Sequence, residues 1–329
     1  MDTKQSILFL INPKSGVLSK KNLPRLIEDN IDRNKFDYKI EFTQFAGHAC
    51  ELTAAAVDRG VDVVVAVGGD GTVNEVARSL IHTKTALGVL PCGSGNGFAR
   101  HIGIPVDLKR AIEFINIAEP LSIDYGKLNG KPFFCACGFG FDALVSKDFA
   151  NSDNRGVFGY IHKTLVDWVT YKPEVYELEA DSGKRKYKAF LIACGNASQY
   201  GNNAYIAPYA SMRDGMLSVS ILEPFTPIEV PVVVGQLFSS KLNENSHMTT
   251  FTTRKLVIKR EKAGPVHYDG EPYMMDKELV VEIVPGGLNV LAFPGWDGTS
   301  LPVPLYKQIR EIMEEAVAEL PSLPTFTIR

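Results

Sequence analysis

The feature that most constrains this chain is a glycine-rich turn between a buried strand and a helix. The β-branched run 61–67 leads directly into Gly-Gly-Asp-Gly at 68–71, and residues 73–81 return to helical apolar spacing. The same alternation occupies the first third of the chain and predicts a parallel sheet covered by helices. We predict strands at 7–11, 36–43, 61–67 and 86–90, and helices at 23–31, 47–59 and 73–81.

Beyond residue 121 the pattern changes to paired strands joined by turn residues. The predicted turns are Asn129-Gly130, 181–183 and 285–287. A mainly antiparallel β-sandwich is the expected result, interrupted by helical stretches at 160–169 and 230–238. A further helix is predicted at 305–320. We therefore predict an α/β nucleotide-binding domain from residues 1–122 and 300–329, and a β-sandwich lipid-substrate domain from 123–299.

Composition narrows the class of protein. A chain of 329 residues suits two domains, and a net charge of −3 gives no electrostatic case for a nucleic-acid partner. No apolar stretch reaches the roughly 20 residues that span a bilayer, so we expect any membrane contact to be peripheral. Five cysteines without CxxC spacing indicate reduced thiols and a cytoplasmic protein.

Three of the predicted strand ends carry residues suited to phosphates. They are Asn-Pro-Lys-Ser-Gly at 12–16, Gly-Gly-Asp-Gly-Thr-Val-Asn-Glu at 68–75, and Pro-Cys-Gly-Ser-Gly-Asn-Gly at 91–97. Glycines let backbone N–H groups approach phosphate oxygens, and a helix N-terminus favours negative charge. A single such turn is explained equally well by a tight connection. Three at one sheet edge predict a nucleotide site.

Asp70 is the unusual residue in these loops. A carboxylate there repels phosphate unless a cation lies between them, which suggests Mg²⁺ bridging to ATP or a role in handling the acceptor proton. The alternative is that Asp70 caps the following helix, although Thr72 could cap it as well.

Several familiar catalytic motifs are missing from the sequence. It contains no Walker A loop, no protein-kinase motif set, no HExxH or paired CxxC, and no GxSxG. A P-loop kinase, a catalytic zinc site and a hydrolase elbow are therefore not supported.

Taken together in order, these motifs resemble the diacylglycerol kinase catalytic-domain superfamily. This superfamily includes bacterial soluble diacylglycerol kinases, sphingosine and ceramide kinases, and YegS-like lipid kinases. The resemblance covers nearly the whole chain. It rests on the three loops, on Thr43 followed by Gly-His-Ala at 47–49, and on Arg-Asp-Gly at 213–215 and Asp-Gly-Glu-Pro at 269–272.

The resemblance implies an NAD kinase/phosphofructokinase-like nucleotide domain, a β-sandwich domain, and an active site in the cleft between them. It implies that Glu271 accepts the proton, whereas the bare sequence indicates only a turn at 269–272. Asp70 is the second catalytic candidate. The loops and the resemblance together give these candidates for binding ATP: Asn12, Ser15, Gly16, Thr43, Gly68, Gly69, Gly71, Thr72, Asn74, Glu75, Gly93, Ser94 and Asn96.

Two further sites are implied by the resemblance alone. Ser211, Asp214 and Met216 match a structural Mg²⁺ site, to which Ser211 and Met216 would contribute backbone carbonyls. The segment 138–142 resembles the sphingosine kinase segment whose aspartate meets the lipid head group. In that interpretation Asp142 favours an amino-alcohol. The alternative is that Asp142 starts a helix at 143–149.

The leading hypothesis is an ATP-dependent lipid kinase that transfers the γ-phosphate to a hydroxyl of diacylglycerol or a sphingoid base. Residues 93–97 depart from the Gly-Thr-x-Asn-Asp pattern of bacterial diacylglycerol kinases and resemble the sphingosine and ceramide kinase version. The alternatives are an NAD kinase-like enzyme and a nucleotide-binding module without turnover. A homodimer through edge strands is possible, and the acceptor would be met at the inner face of the membrane.

Overall fold

The fold was obtained as a computed structural model, and the structure describes residues 4–14, 22–150 and 171–300. The predicted helices at 160–169 and 305–320 lie outside these residues. Of the helices in the described part, none combines the length and apolar character needed to cross a bilayer. The five cysteines are not joined in disulfides, in agreement with the predicted reduced thiols.

The first third of the chain forms the predicted parallel sheet, with strand order β2-β1-β3-β4. Strands β3 and β4 are buried along their whole length because helices cover both faces. The elements are β1 (Gln5–Ile11), α1 (Leu23–Asn30), β2 (Phe36–Phe42), α2 (His48–Asp58), β3 (Val63–Gly68), α3 (Asp70–Leu80), β4 (Ala86–Pro91), α4 (Gly97–Ile102) and α5 (Leu108–Ile117).

The second part of the chain is the predicted antiparallel β-sandwich. One layer is an antiparallel sheet with strand order β12-β11-β10-β7-β14-β15, and the other is formed by β5, β16, β13, β8 and β9. The elements are β5 (Glu119–Leu128), β6 (Lys131–Phe133), β7 (Ala136–Gly140), α6 (Phe141–Ala150), β8 (Glu174–Ala180), β9 (Gly183–Ala189), β10 (Leu191–Gly195), β11 (Leu217–Leu222), α7 (Val230–Phe238), β12 (Met248–Thr253), β13 (Lys255–Arg260), β14 (Gly264–Tyr268), β15 (Glu271–Met275) and β16 (Glu278–Ala292).

The predicted turn at 285–287 is wrong. Strand β16 runs through it and stays paired with β5 on both sides, with a bulge between Val284 and Leu288. The bulge is held in place by Asp124, whose Oδ1 accepts a hydrogen bond of 2.8 Å from the N–H of Gly286. Pairing with β5 keeps the strand extended, so the turn-forming residues make a bulge instead of a hairpin.

Strand β16 also joins the two halves of the molecule. It pairs antiparallel with β13 and β5, and parallel with β4 at Val290 opposite Leu87. One sheet therefore continues from the α/β layer into the sandwich. Strand β5 crosses the predicted domain boundary at 122/123, and the exact bounds of the two domains stay a prediction. The shared sheet fixes how the parallel-strand ends face the sandwich.

Candidate active site

The described parts of the three predicted phosphate loops meet at one edge of the parallel sheet. Strands β1, β3 and β4 are neighbours, so their carboxyl ends lie side by side. The side chain of Asn12, after β1, donates a hydrogen bond of 3.1 Å from Nδ2 to Oγ1 of Thr72, after β3. The described part of the first loop ends at Lys14, so Ser15 and Gly16 lie outside it.

The loops after β3 and β4 touch backbone to backbone. A Cβ added to Gly93 would lie 2.5 Å from Cα of Gly69, so only glycine allows this approach. The side chain of Asn96 closes the second loop, with Oδ1 accepting from Gly93 N at 2.9 Å and Nδ2 donating to Gly93 O at 2.7 Å. Asn96 therefore shapes the loop from within, whereas Ser94 is exposed at its tip.

A cavity of about 250 Å³ opens beside these loops. It combines a cation, hydroxyl groups and one exposed aromatic ring, that of Phe45, which stacks on His48 with centroids 4.6 Å apart. Glu75 accepts a hydrogen bond of 3.0 Å from Gly47 N and so fixes the start of α2 against α3. The polar and aromatic lining includes Asn12, Lys14, Thr43, Phe45, Thr72 and Glu75.

Asp70 is the first residue of α3, and the helix cap is Gly69 without a side-chain hydrogen bond. The alternatives that Asp70 or Thr72 caps the helix are therefore wrong. Instead, Oδ1 of Asp70 accepts a long hydrogen bond of 3.4 Å from Phe98 N, at the start of α4. Burial, together with the nearby Asp269 carboxylate, raises the pKa of Asp70 to about 6 against the lowering effect of backbone N–H groups.

Asp269 is the residue whose importance the sequence did not reveal. It lies in the turn between β14 and β15, with a φ of 48°. Its carboxylate accepts hydrogen bonds from Phe134 N at 2.8 Å, Cys135 N at 2.7 Å and Asn74 Nδ2 at 2.6 Å. Burial raises its pKa, and these hydrogen bonds oppose that shift. Asp269 therefore fastens the β14–β15 turn onto α3, and Asn74 is the α3 residue that donates the hydrogen bond between them.

Helix α3 presents its polar residues to this turn at intervals of four. Asp70 lies near Asp269, Asn74 bonds to Asp269, and Arg78 reaches Glu271 with 3.9 Å between Nη2 and Oε2. Tyr273 donates a hydrogen bond of 2.7 Å to the same Glu271 oxygen. The fold thus brings together carboxylates about 200 residues apart in sequence along one helix face, with Glu271 exposed.

Asp142 lies in a second, buried polar cluster. It is in the first turn of α6, which begins at Phe141, so the prediction of a helix start here is confirmed. Its Oδ2 accepts a hydrogen bond of 2.6 Å from the hydroxyl of Tyr200 and lies 2.8 Å from Nε2 of His267. His267 lies in β14, two residues before Asp269 in the turn that follows this strand. Neither Tyr200 nor His267 is marked as functional by any local motif in the sequence.

The predicted metal residues form a tight loop at 211–216. Asp214 Oδ1 accepts a hydrogen bond of 2.9 Å from Met216 N, and Ser211 Oγ accepts one of 3.2 Å from Arg213 N. Asp124, which sequence analysis missed, accepts from Gly215 N at 2.7 Å. Burial, with a contribution from Asp124, raises the pKa of Asp214.

This loop could hold Mg²⁺ only if backbone carbonyl oxygens serve as ligands in addition to a side-chain carboxylate. Within residues 4–14, 22–150 and 171–300 no group of three His, Cys, Asp or Glu side chains is placed to hold a metal. A cation would relieve the repulsion that the Asp124 carboxylate exerts on the carboxylate of Asp214. Mg²⁺ prefers oxygen ligands. The loop could offer the carboxylate of Asp214 and the backbone carbonyls of Ser211 and Met216, with water as the remaining ligands.

Comparisons with known proteins agree with this architecture. Residues 6–128 match the diacylglycerol kinase catalytic domain, and residues 135–292 match the YegS C-terminal NAD kinase β-sandwich-like domain. A crystal structure of a diacylglycerol kinase from Bacillus anthracis str. Sterne superposes with a TM-score of 0.69 at 20% identity. It covers 89% of this chain and 98% of its own, which shows the shared fold.

Curated relatives narrow the class further. "Probable lipid kinase YegS-like" from Klebsiella pneumoniae (strain 342) is 31% identical over 298 residues, covering 88% of this chain and 96% of the relative. A protein of the same name from Chromohalobacter salexigens is 30% identical, covering 78% and 84% respectively. The fold and site define a two-domain protein of the diacylglycerol kinase catalytic-domain superfamily. Within it, the chain belongs to the YegS-like lipid kinase family.

Proposed function

We propose that this protein is an ATP-dependent lipid kinase that transfers the γ-phosphate of ATP to a hydroxyl of a diacylglycerol or sphingoid-base lipid. The observation that carries the proposal is the meeting of three phosphate-type loops with the Asp70–Asp269 carboxylate pair at one sheet edge. Phosphoryl transfer needs positioning and charge neutralisation more than covalent chemistry. The loops would position the phosphates, and a cation held by the carboxylates would neutralise their charge. The names of the relatives support the lipid as acceptor class.

ATP is proposed to lie in the cavity beside the loops. Phosphate oxygens would face the N-termini of α3 and α4, where backbone N–H groups and helix dipoles favour anions. The exposed Phe45 ring offers a flat surface for a base, and Lys14 adds a positive charge on the cavity wall. Thr43, Gly68, Gly71 and Ser94 stay predicted contacts.

Glu271 is proposed to take the proton of the acceptor hydroxyl. The carboxylate is exposed, so a lipid head group can reach it, and Arg78 and Tyr273 orient it. Asp70 is proposed to organise Mg²⁺ or the acceptor. When bound, Mg²⁺ would neutralise charge on the phosphates, and a second ion at Asp214 would be structural.

The acceptor head group is proposed to approach Asp142. Its buried carboxylate, held by Tyr200 and close to His267, would pair well with an ammonium group. An amino-alcohol is therefore the preferred acceptor if Asp142 contacts it. We further propose a cytoplasmic enzyme that meets the inner face of the membrane. A homodimer through edge strands stays a prediction.

The test is a transfer assay with Mg²⁺, labelled ATP and lipids in mixed micelles. The panel holds diacylglycerol, monoacylglycerol, sphinganine, sphingosine, ceramide and phosphatidylglycerol, with NAD as a control. A labelled lipid is expected, and a labelled sphingoid base would support the role of Asp142. Label on NAD alone would establish the NAD kinase alternative. ATP binding without transfer to any acceptor would favour a nucleotide-binding module.

Replacing Glu271 with Gln is expected to lower kcat by about 10²–10⁴-fold, because general-base catalysis contributes about that much. The amide keeps the shape and the contact with Tyr273 but cannot accept the proton. Since Glu271 is exposed, the urea midpoint should stay within experimental error. The matched control is Glu278→Gln, an exposed glutamate at the start of β16. Wild-type turnover in Glu271→Gln would remove this residue from the mechanism.

Replacing Gly93 with Ala is expected to weaken ATP binding by about tenfold or more. The new methyl group would force the loops after β3 and β4 apart at Gly69. The backbone N–H groups of the two loops would then no longer be positioned to bind the same phosphates. Isothermal titration with ATP and Mg²⁺ measures the change. Gly235→Ala serves as the control, because a Cβ on that helical glycine meets nothing within 4 Å. Unchanged affinity in Gly93→Ala would place ATP elsewhere.

A further inference from the structure

Helix α7 (Val230–Phe238) is apolar on the side that faces solvent. Val233 is its one buried residue, whereas Val232 is 56% exposed and Ile228, in the preceding 3-10 turn, is 85% exposed. A surface helix normally turns polar side chains outward, and a helix apolar all round belongs in an apolar medium. The outward row with helical spacing, called here the α7 face, consists of Ile228, Pro231, Val232 and Gly235.

The α7 face is also nearly free of charge. Between residues 224 and 240 the single charged side chain is Glu229. Its carboxylate accepts a hydrogen bond of 2.6 Å from the Thr226 hydroxyl and lies 2.9 Å from Nε2 of His247. These contacts cap the turn that presents Ile228, so the exposed apolar residues sit on a fixed element.

A tyrosine, whose ring is apolar and whose hydroxyl is polar, is linked to the turn that packs against α7. Tyr209 is 75% exposed, and its hydroxyl accepts a hydrogen bond of 3.3 Å from Asn243. Asn243 belongs to the 3-10 turn Leu242–Glu244, which packs against α7. Amphipathic rings of this kind are enriched at the boundary between lipid and water.

The inner side of α7 leads toward the acceptor site. Val233 packs in one apolar cluster with Phe141, Phe190 and Leu222, and Leu237 is packed against it. Phe141 immediately precedes Asp142, the proposed head-group contact. Apolar side chains therefore continue from the α7 face to the place where the lipid would be held.

We propose that the α7 face docks the protein on a lipid bilayer by inserting apolar side chains. This rests on the proposed function, because a kinase whose acceptor lies in a membrane must hold to that surface. A second copy of the chain fits less well. A nine-residue helix is about 14 Å long and about 10 Å wide, whereas a stable dimer buries about 800 Å² per partner.

Flotation with vesicles of phosphatidylethanolamine and phosphatidylglycerol tests the proposal. The full chain is expected to float with the vesicles, and the double variant Ile228→Asp/Val232→Asp to lose at least about tenfold in partitioning. Val175→Asp is the matched control, since this strand valine is 57% exposed and lies away from α7. Val232→Trp should increase flotation, so the proposal does not rest on loss alone.

The salt dependence of flotation distinguishes insertion of apolar side chains from electrostatic attraction to the vesicles. Flotation should persist at about 0.5 M NaCl, because screening acts on charges and not on apolar burial. Release by salt, flotation of the double variant equal to wild type, or no flotation of wild type would each overturn the proposal. Light scattering that shows a dimer lost in the double variant, with flotation unchanged, would assign the face to a second copy instead.

The docking proposal and the proposed function can fail separately. The double variant should phosphorylate a short-chain lipid dissolved below its micelle concentration at the wild-type rate, because the α7 face lies outside the active site. Flotation that depends on α7 in a protein without lipid turnover would support docking and contradict the proposed function. Lipid turnover without α7-dependent flotation would contradict docking alone.

Discussion

Replacing Asp70 with Asn is expected to abolish phosphate transfer and at the same time to stabilise the protein. We expect activity to fall about a thousandfold or more, because Asp70 lies within the glycine-rich loop after β3 and its charge is lost. Urea unfolding at about pH 7.5 should show a gain of about 2 kcal/mol. Asn keeps an oxygen that can accept the Phe98 hydrogen bond, so the local structure should persist.

The stability gain follows from the raised pKa. In the folded protein the pKa of Asp70 is about 6, above the ordinary aspartate value of 3.8, so the native state binds more protons between these values. Its contribution to stability therefore falls as the pH rises through this window. The advantage of Asp70→Asn should vanish below about pH 4, and wild-type kcat/KM should rise with pH through about 6.

Either of two results would contradict this interpretation of Asp70. Full turnover in Asp70→Asn would remove the carboxylate from the mechanism. A stability difference that does not change between pH 4 and pH 7.5 would show that the carboxylate is not destabilising in the folded state. The pH series is its own control, because the same two proteins are compared under every condition.

Replacing Asp269 with Ala is expected to cause the largest loss of stability. The N–H groups of Phe134 and Cys135 and the amide of Asn74 would each lose an acceptor. An unsatisfied buried group costs about 1–3 kcal/mol, and removing a partly buried carboxylate near Asp70 offsets part of the sum. We expect a net loss of about 3 kcal/mol in urea unfolding.

The same change should reduce activity, because the turn that carries Glu271 would no longer be fastened to α3. Asp276→Ala is the control, since Asp276 is an exposed aspartate at the far end of β15. Equal unfolding midpoints for Asp269→Ala and Asp276→Ala would show that the hydrogen bonds accepted by Asp269 contribute little. A loss of stability with unchanged kcat would separate the position of Glu271 from catalysis.

The contrast between two turns shows how far local sequence can predict structure. At Asn129-Gly130 the prediction of a hairpin is confirmed. The two residues adopt φ values of 46° and 78°, and the flanking strands β5 and β6 pair directly beside the turn, with Leu128 opposite Lys131. At 285–287 equally good turn residues form a bulge within β16. Pairing with β5, about 160 residues away, and the Asp124 hydrogen bond to Gly286 override the local preference.

The residues of the candidate site also divide into those that local sequence could predict and those that it could not. Asp70 and the glycine loops were predictable, because they follow strand ends in a regular βα alternation. Glu271 entered only through resemblance, since its own segment indicates a turn, and the structure does contain that turn between β14 and β15. Asp269, His267 and Tyr200 were missed, because each acts on a partner far along the chain.

The sequence by itself determined the alternation of strands and helices, the glycine loops, and the change to antiparallel strands. These follow from apolar periodicity and from backbone conformations that few residues allow. Only the tertiary structure decided that one sheet runs through both halves, that Asp269 joins the β14–β15 turn to α3, and that α7 leaves an apolar face in solvent. Such features depend on which distant surfaces meet, and burial and long-range hydrogen bonds then set their energies.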